Sequence, residues 1–292
     1  MMLLEQIEIE RKPLTKRGIP TLLNLGCGDH FHPDWVNLDL VPASSQVLAH
    51  DLTSGLPFAD KQFDAVYHSH LLEHLTPDDG RRLLEECYRT LKPGGFIRIV
   101  VPDLEKIAEL YLAMHDRAWN GDETAPRDYD WMKLELLDQM VREESGGRMG
   151  QFISNPDISN SDFVRSRIGD EYRVCRGRAS QDTDRSGRRR GRPLRRLREY
   201  LAKKMVGILL GPSAEAALAE GLFRKNGEVH RWMYDRYSLR QLCCGIGFQN
   251  FVLHDALQSG IANFQCYGLD VFNGQVRKPD SLFVECQRPP SR

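Results

Sequence analysis

Apolar residues fall in short runs separated by turn-forming residues through the first hundred positions, and this alternation sets the architecture. TLLNL (21–25) is compact and apolar and runs directly into Gly26-Cys27-Gly28, as a buried strand followed by a turn should. WVNLDL (35–40) and QVLAHDL (46–52) repeat the pattern, each with an acid one position before its end, and FDAVYHSH (63–70) reads as a fourth strand. Thr76 or Asp78 then caps a helix through RRLLEECYRTL, whose apolar positions recur at Leu83, Leu84, Cys87, Tyr88 and Leu91. Pro93-Gly94-Gly95 stops it, and FIRIVVPD (96–103) is a fifth strand. Strands joined by helical connectors predict an α/β fold, a mostly parallel sheet of about seven strands covered on both faces.

Past Asp103 the pattern changes. Helical spacing covers 104–116 and 129–142, whereas 145–191 is rich in Gly, Ser, Asp, Asn and Arg, has no period, and is expected to be flexible loop. Helical spacing returns at 194–210 and again at 236–245, followed by the strands FQNFVLHD and SLFVECQ, an antiparallel C-terminal hairpin. The chain is therefore expected to be a single domain, with a core of 18–103 and 228–288 interrupted by an insertion or lid at 104–227.

Charge sharpens that division. The 292 residues carry a net charge of −1, yet Arg173 to Lys204 holds eleven Arg and two Lys against three acids, a local balance of +10. This block has three readings: a solvated insertion, a membrane-surface contact through the amphipathic segment 194–210, and a nucleic-acid arm. The last is disfavoured, because aromatic residues for base stacking are missing from 173–199. No apolar run reaches the roughly 18 residues of a membrane span, and no secretory signal is read at the N-terminus. The seven cysteines form no CxxC pair, so reduced thiols and a cytoplasmic protein, at most peripheral to a membrane, are expected.

In an open parallel sheet, ligands bind beyond the carboxyl ends of the strands, so the residues just after each strand carry the chemistry. Gly26 and Gly28 let a ligand approach the backbone. Asp39 ends the second strand, where its carboxylate suits a ribose diol, and Asp51 ends the third, where it suits the exocyclic amine of adenine. Together they describe a pocket for an adenosine-bearing ligand. A dinucleotide is disfavoured: Asp29-His30-Phe31-His32-Pro33 follows the glycine pair, giving no third glycine and no helix N-terminus for a pyrophosphate.

The ordered run LNLGCGDH, NLDL, HDLTSGLPFADKQFDAVYHSHLLEHL and RTLKPGGFIRIVVPD resembles the class I S-adenosylmethionine-dependent methyltransferases, of the type in which an LPF…FD segment leads into an LEH element. The likeness covers about residues 20–103. EVHRWMYDRYSLRQLCCGIGF and KPDSLFVEC are similar to predicted methyltransferases of surface-glycan assembly. The resemblance implies a Rossmann-like sheet and S-adenosyl-L-methionine as methyl donor. It implies that Gly26, Cys27 and Gly28 line the methionine and ribose, Asp39 with Leu40 the ribose hydroxyls, Asp51 with Leu52 the adenine, and Ser69 the adenosine or methionine part. One departure is that 29–38 is too short for a normal first helix, so the rim there is expected to be more open or to be covered by another segment, and 29–35 are not expected to contact the cofactor.

His68, His70 and His74 follow a His-x-His-x3-His spacing, but only Glu73 offers a carboxylate nearby, and no metal is assigned. Methyl transfer to a hydroxyl needs a base that works near neutral pH. His230 is the first candidate and His70 the second, with Tyr234 and Asp235 beside His230 to orient an acceptor or cap a helix. The expected activity is O-methylation of a small-molecule or glycan acceptor. The alternatives are a non-catalytic binder of an adenosine ligand and an RNA methyltransferase that uses the basic block. Oligomeric state is not legible.

Overall fold

The structure, a computed structural model, describes residues 20–181 and 193–291. Five parallel strands build one side of a seven-stranded sheet: β1 (Leu22–Leu25), β2 (Trp35–Asp39), β3 (Val47–Ala49), β4 (Phe63–Ser69) and β5 (Leu91–Pro102). Two C-terminal strands, β6 (Gln249–His254) and β9 (Ser281–Gln287), complete it in the order β3-β2-β1-β4-β5-β9-β6. β9 runs antiparallel to both β5 and β6. The chain steps outward from β1 to β3 and then crosses back to β4, so β1 and β4 are neighbours whose connections leave in opposite directions. Between them lies the topological switch point.

The two faces of the sheet are covered differently. On one, α1 (Pro77–Thr90) and α9 (Arg236–Ile246) pack Leu83, Leu84, Cys87, Leu239 and Cys243 against Leu23, Leu25, Val66 and Ile97. Thr76 caps α1 by accepting the Asp79 N–H, and Pro77 takes the first helical position, where its missing donor is harmless. Asp235 caps α9 in a reciprocal box with Ser238.

The other face lies under the long excursion 255–280 that joins β6 to β9. Here Trp35, Tyr67 and Val100 pack against Ile261, Phe264 and Leu269. The ring of Tyr267 meets His32 and Trp35 edge-on. Of the two outcomes expected for the short 29–38 segment, an open rim or a covered one, the excursion gives the covered one at His32 and Trp35. Within it β7 (Val271–Phe272) and β8 (Gln275–Val276) form a two-stranded hairpin, turning at Asn273-Gly274, both at positive φ.

Between β5 and α9 sits the insertion. It begins with α2 (Leu104–Trp119) and α3 (Ala125–Val141). The aperiodic stretch read as loop is helical as far as it is described: α4 (Gly147–Ser154), α5 (Ser161–Ile168) and α6 (Asp170–Gln181). These short helices are held by a separate apolar cluster of Ile107, Trp131, Met132, Met149, Ile153, Val164 and Tyr172 rather than by their own periodicity. Residues 182–191 of that stretch lie outside the described residues. A hairpin of α7 (Pro193–Leu210) and α8 (Pro212–Arg224) follows; α7 was expected, and α8 was not.

The insertion is tied to the core at the sheet's carboxyl edge. Asp103 N–H donates to the Asp280 carbonyl, Leu104 N–H to Tyr234, His230 N–H to Gln139 and Asp170 N–H to Arg277. At Gly169, φ is +54°, and a Cβ there would stand 2.6 Å from the Arg277 carbonyl oxygen, so this contact needs glycine.

Candidate functional site

A cavity opens at the switch point. It has about 640 Å³ of empty space, part of it open to solvent, and is lined from β1 and its turn by Asn24, Gly26, Cys27 and Gly28. From β4 come Tyr67, Ser69 and His70, and from the C-terminal excursion Asp270, Arg277 and Lys278. The glycine turn is shaped by its two positive φ angles, +61° at Gly26 and +52° at Gly28. The glycines serve different ends. A Cβ on Gly26 would strike Leu71 at 2.8 Å, whereas nothing stands within 4 Å of the corresponding point on Gly28. Gly26 thus admits the chain after β4, and Gly28 leaves open space for a ligand.

Asp39 fastens this turn. Its Oδ2 accepts the Gly28 N–H and its Oδ1 the Val41 N–H, both at 2.9 Å. Each carboxylate oxygen retains a lone pair for a further donor. Cys27 is buried between them, and burial pushes its thiol up to about 12. Leu40 is exposed, while Asp51 caps the short turn Leu52–Ser54 and accepts both the N–H and the hydroxyl of Thr53. Those hydrogen bonds hold its carboxyl below the usual range. Leu40, Asp51 and Leu52 therefore sit on the strand-end rim and do not line the cavity.

His70 follows β4 in the left-handed region, with φ +50°, a conformation uncommon for a residue bearing a Cβ. Its N–H is held by the Val100 carbonyl. The ring stands between two polar groups, with Nε2 2.7 Å from Ser281 Oγ and Nδ1 3.3 Å from Glu73 Oε1. Burial lowers its pKa well below the usual value, so the imidazole is neutral at pH 7.

His230 is not at this cavity. It is 3% exposed, and its ring packs edge-on against His74 with centroids 4.8 Å apart. Of the three histidines spaced around β4, His68 is buried within the sheet and driven down to about 4 by burial. Tyr234 is buried beside Glu73, and burial with that carboxyl pushes its phenol up to about 12. Asp235 serves as the cap of α9.

The residues missed from sequence are those of the excursion. Arg98 on β5 is fully buried and binds Asp270 through Nε at 2.6 Å and Glu285 through a terminal nitrogen at 2.8 Å. Tyr67 donates to the other oxygen of Asp270, also at 2.6 Å. Burial raises the Asp270 carboxyl above its usual range despite those partners. This network pins the excursion over the sheet, and the Arg277 N–H donates to the Asp270 carbonyl, which sets Arg277 and then Lys278 at the cavity. Lys278 pairs with Glu171 of α6. The only sequence signal for these two cations was the Arg-Lys-Pro-Asp run ahead of the last strand.

Residues 23–99, from β1 into β5, match the family model described as a methyltransferase domain. The matched residues hold the parallel strands of a sheet of the class I methyltransferase type. Malonyl-[acyl-carrier protein] O-methyltransferase 1 of Coxiella burnetii is 32% identical to the chain over 77 residues, 26% of this chain and 26% of that protein. The chain thus spans about a quarter of the length of that curated relative. Among solved structures, a Haloferax volcanii complex of the Trm112 methyltransferase activator with a methyltransferase is 12% identical, covering 93% of this chain and 83% of that one at a TM-score of 0.37. The Burkholderia thailandensis 1,6-didemethyltoxoflavin-N1-methyltransferase, solved with 1,6-didemethyltoxoflavin and S-adenosylhomocysteine, is 20% identical over 29% of this chain and 45% of that chain, at a TM-score of 0.25.

The methyl donor of this domain class is S-adenosylmethionine. The open space before Gly28, beside a carboxylate with spare acceptor capacity, fits that molecule's ribose. Among the described residues no helix is long and apolar enough to cross a membrane.

Proposed function

We propose that this chain transfers a methyl group from S-adenosylmethionine to a hydroxyl of a small-molecule or glycan acceptor. The observation that carries this reading is the cavity at the β1/β4 switch point, with the glycine turn on one side and His70 on the other. Asp39 receives the ribose hydroxyls, the Gly26–Gly28 backbone lies along the sugar and methionine, and Ser69 touches the methionine end. Asp51 and Leu52 take the adenine at the rim. The bound donor supplies an electrophilic methyl carbon on a sulfonium.

The remaining work belongs to the protein. Alignment of acceptor oxygen, carbon and sulfur is the main contribution, because in-line displacement depends on approach geometry. The acceptor oxygen forms a bond to carbon as the carbon–sulfur bond breaks, the electron pair stays on sulfur, and the hydroxyl proton passes to His70 Nε2. Ser281 Oγ, 2.7 Å from Nε2, relays that proton by passing its own to the ring as it takes up the acceptor's, while Glu73 stands 3.3 Å from Nδ1 without a hydrogen bond to it. His230, buried away from the cavity, has no part in this step. Arg277 favours an acceptor carrying a carboxylate, phosphate or sugar acid near the hydroxyl, while Lys278 beside it is paired with Glu171.

Calorimetry with S-adenosylmethionine and S-adenosylhomocysteine tests the pocket, and absence of saturable binding to both ends the reading. A labelled-methyl survey across neutral and anionic glycans, small hydroxy acids and RNA then separates the outcomes. Turnover of anionic hydroxyl compounds supports the proposal. Turnover of RNA alone, or binding without any transfer, overturns it.

A second proposal concerns the partner of α7. Leu197, Leu201, Met205, Ile208 and Leu209 form one stripe on that helix, each at least half exposed, within the chain's basic block. An apolar stripe flanked by Arg198, Lys203 and Lys204 is suited to an anionic membrane surface, where an acceptor on a lipid carrier would be presented.

A further inference from the structure

Just after His70 the chain turns through Leu72–His74, and the irregular segment 229–232 crosses that turn. The N–H groups of Arg231 and Trp232 both donate to the Glu73 carbonyl oxygen, at 2.7 and 3.2 Å. This crossing brings three side chains together: one donor atom from each of Glu73, His74 and His230 lies within 4.8 Å of the other two.

The cluster is unsatisfied as it stands. Glu73 is fully buried, and neither carboxylate oxygen has a hydrogen-bond partner. His70 Nδ1 comes within 3.3 Å of Oε1 but is misaligned for a bond. The Nδ1 of His230 is also buried without a partner. Buried polar atoms are nearly always paired, so a two-oxygen orphan next to an orphaned imidazole nitrogen calls for a missing ligand. His74 supplies the complementary feature. Its Nδ1 faces the Val229 carbonyl at 3.3 Å, which leaves the Nε2 lone pair available, the arrangement metal-bound imidazoles adopt.

We propose that Glu73, His74 and His230 bind one divalent transition-metal ion, with zinc the ion this donor set suits best. Two imidazole nitrogens and one carboxylate oxygen are zinc ligands at about 2.0–2.2 Å, and tetrahedral geometry then sets the donor atoms roughly 3.4 Å apart. Binding therefore draws the three side chains together by about an ångström. The two cations whose fields reach the cluster are already paired, Arg142 with Asp138 and Glu228, and Lys278 with Glu171. With Glu73 and His230 buried, the ion braces the fold. It clamps the turn that sets His70 onto segment 229–232, which is tied to α3 through the His230 N–H and Gln139 carbonyl. This inference does not rest on the methyl-transfer reading.

The test uses the full chain expressed with zinc supplementation and passed over a chelating resin. Elemental analysis counts zinc, and thermal unfolding is followed with and without dipicolinate. The expected result is about one zinc per chain, and a melting temperature raised by roughly 4–5 °C when zinc exceeds its Kd a hundredfold. Glu73→Gln and His230→Gln should lose both the metal and the shift, and His115→Gln should keep them. A wild-type chain that retains no zinc and shows no shift overturns the proposal. So does zinc retained equally by Glu73→Gln and His230→Gln. Should those variants fail to fold, X-ray absorption at the zinc edge of the wild-type chain decides: two imidazoles with oxygen support the site, and sulfur scattering overturns it.

Discussion

The two walls of the cavity are made from different kinds of information. One wall, the β1 and β4 ends, comes from a continuous stretch in which strand, glycine turn and acid recur at short range, with Asp39 behind it fastening the turn. The opposite wall, Asp270, Arg277 and Lys278, comes from an irregular excursion some two hundred residues later in the chain. It is held at the site by the buried Arg98 network together with its apolar packing on Trp35 and Val100. A ligand pocket can thus be half local and half long-range, and the long-range half depends on pairing buried charges.

Breaking that pairing should have the largest effect. Arg98→Met leaves Asp270 and Glu285 buried without their cation, and removing one partner of such a network costs about 3–5 kcal/mol. Urea unfolding should show that loss. A change under about 1 kcal/mol would mean the excursion is held by its apolar contacts with Trp35 and Val100 alone.

The local wall is tested by Asp39→Ala. Its carboxylate is proposed to bind the ribose, so affinity for S-adenosylhomocysteine should fall by about 1.5–3 kcal/mol, roughly 10- to 150-fold. Unchanged affinity in calorimetry would remove Asp39 from the donor site and leave it only the task of fastening Gly28 and Val41.

A smaller effect compares helix ends. Asp235→Ala removes the capping box that starts α9, and the expected cost is about 1 kcal/mol by urea unfolding. Since Tyr234 N-terminal to the cap lies in the core beside Leu72 and Leu84, a loss well above 2 kcal/mol would show that the cap also positions the segment leading from His230.

What the sequence disclosed follows the same division. The five parallel strands, α1, α9 and β9 were legible because periodicity and caps are local signals, and β9 occupies Ser281–Gln287 as SLFVECQ predicted. Gly26, Cys27, Gly28, Ser69 and His70 were legible as cavity residues because they end strands at the switch point. Helices α4 to α6 were not, since they are short, rich in Gly, Ser and Asn, and stabilised by packing on Trp131 and Met149. α8 was overlooked although Pro212 and its alanines are helix-starting and helix-forming signals. His230 illustrates the limit on side-chain roles. Its place before a helix near the C-terminus suggested an acceptor base, but burial against His74 is set by a crossing of distant segments that no local pattern reports.

The smallest effect on stability should come from α7, and it separates a folding role from a binding one. Ile208 is 84% exposed, so Ile208→Glu removes no core contact and should change unfolding by no more than about 0.5 kcal/mol. On an anionic membrane the same substitution places a charge where the apolar stripe would enter the interface. Co-sedimentation with vesicles containing phosphatidylserine should then fall strongly, while the wild-type chain binds and is released by salt. Equal sedimentation of both proteins, or none by either, would remove the membrane from the account. Loss of stability instead would mean that the stripe packs within the chain, and the contrast between an interior sheet and an outward-facing helix would have to be redrawn.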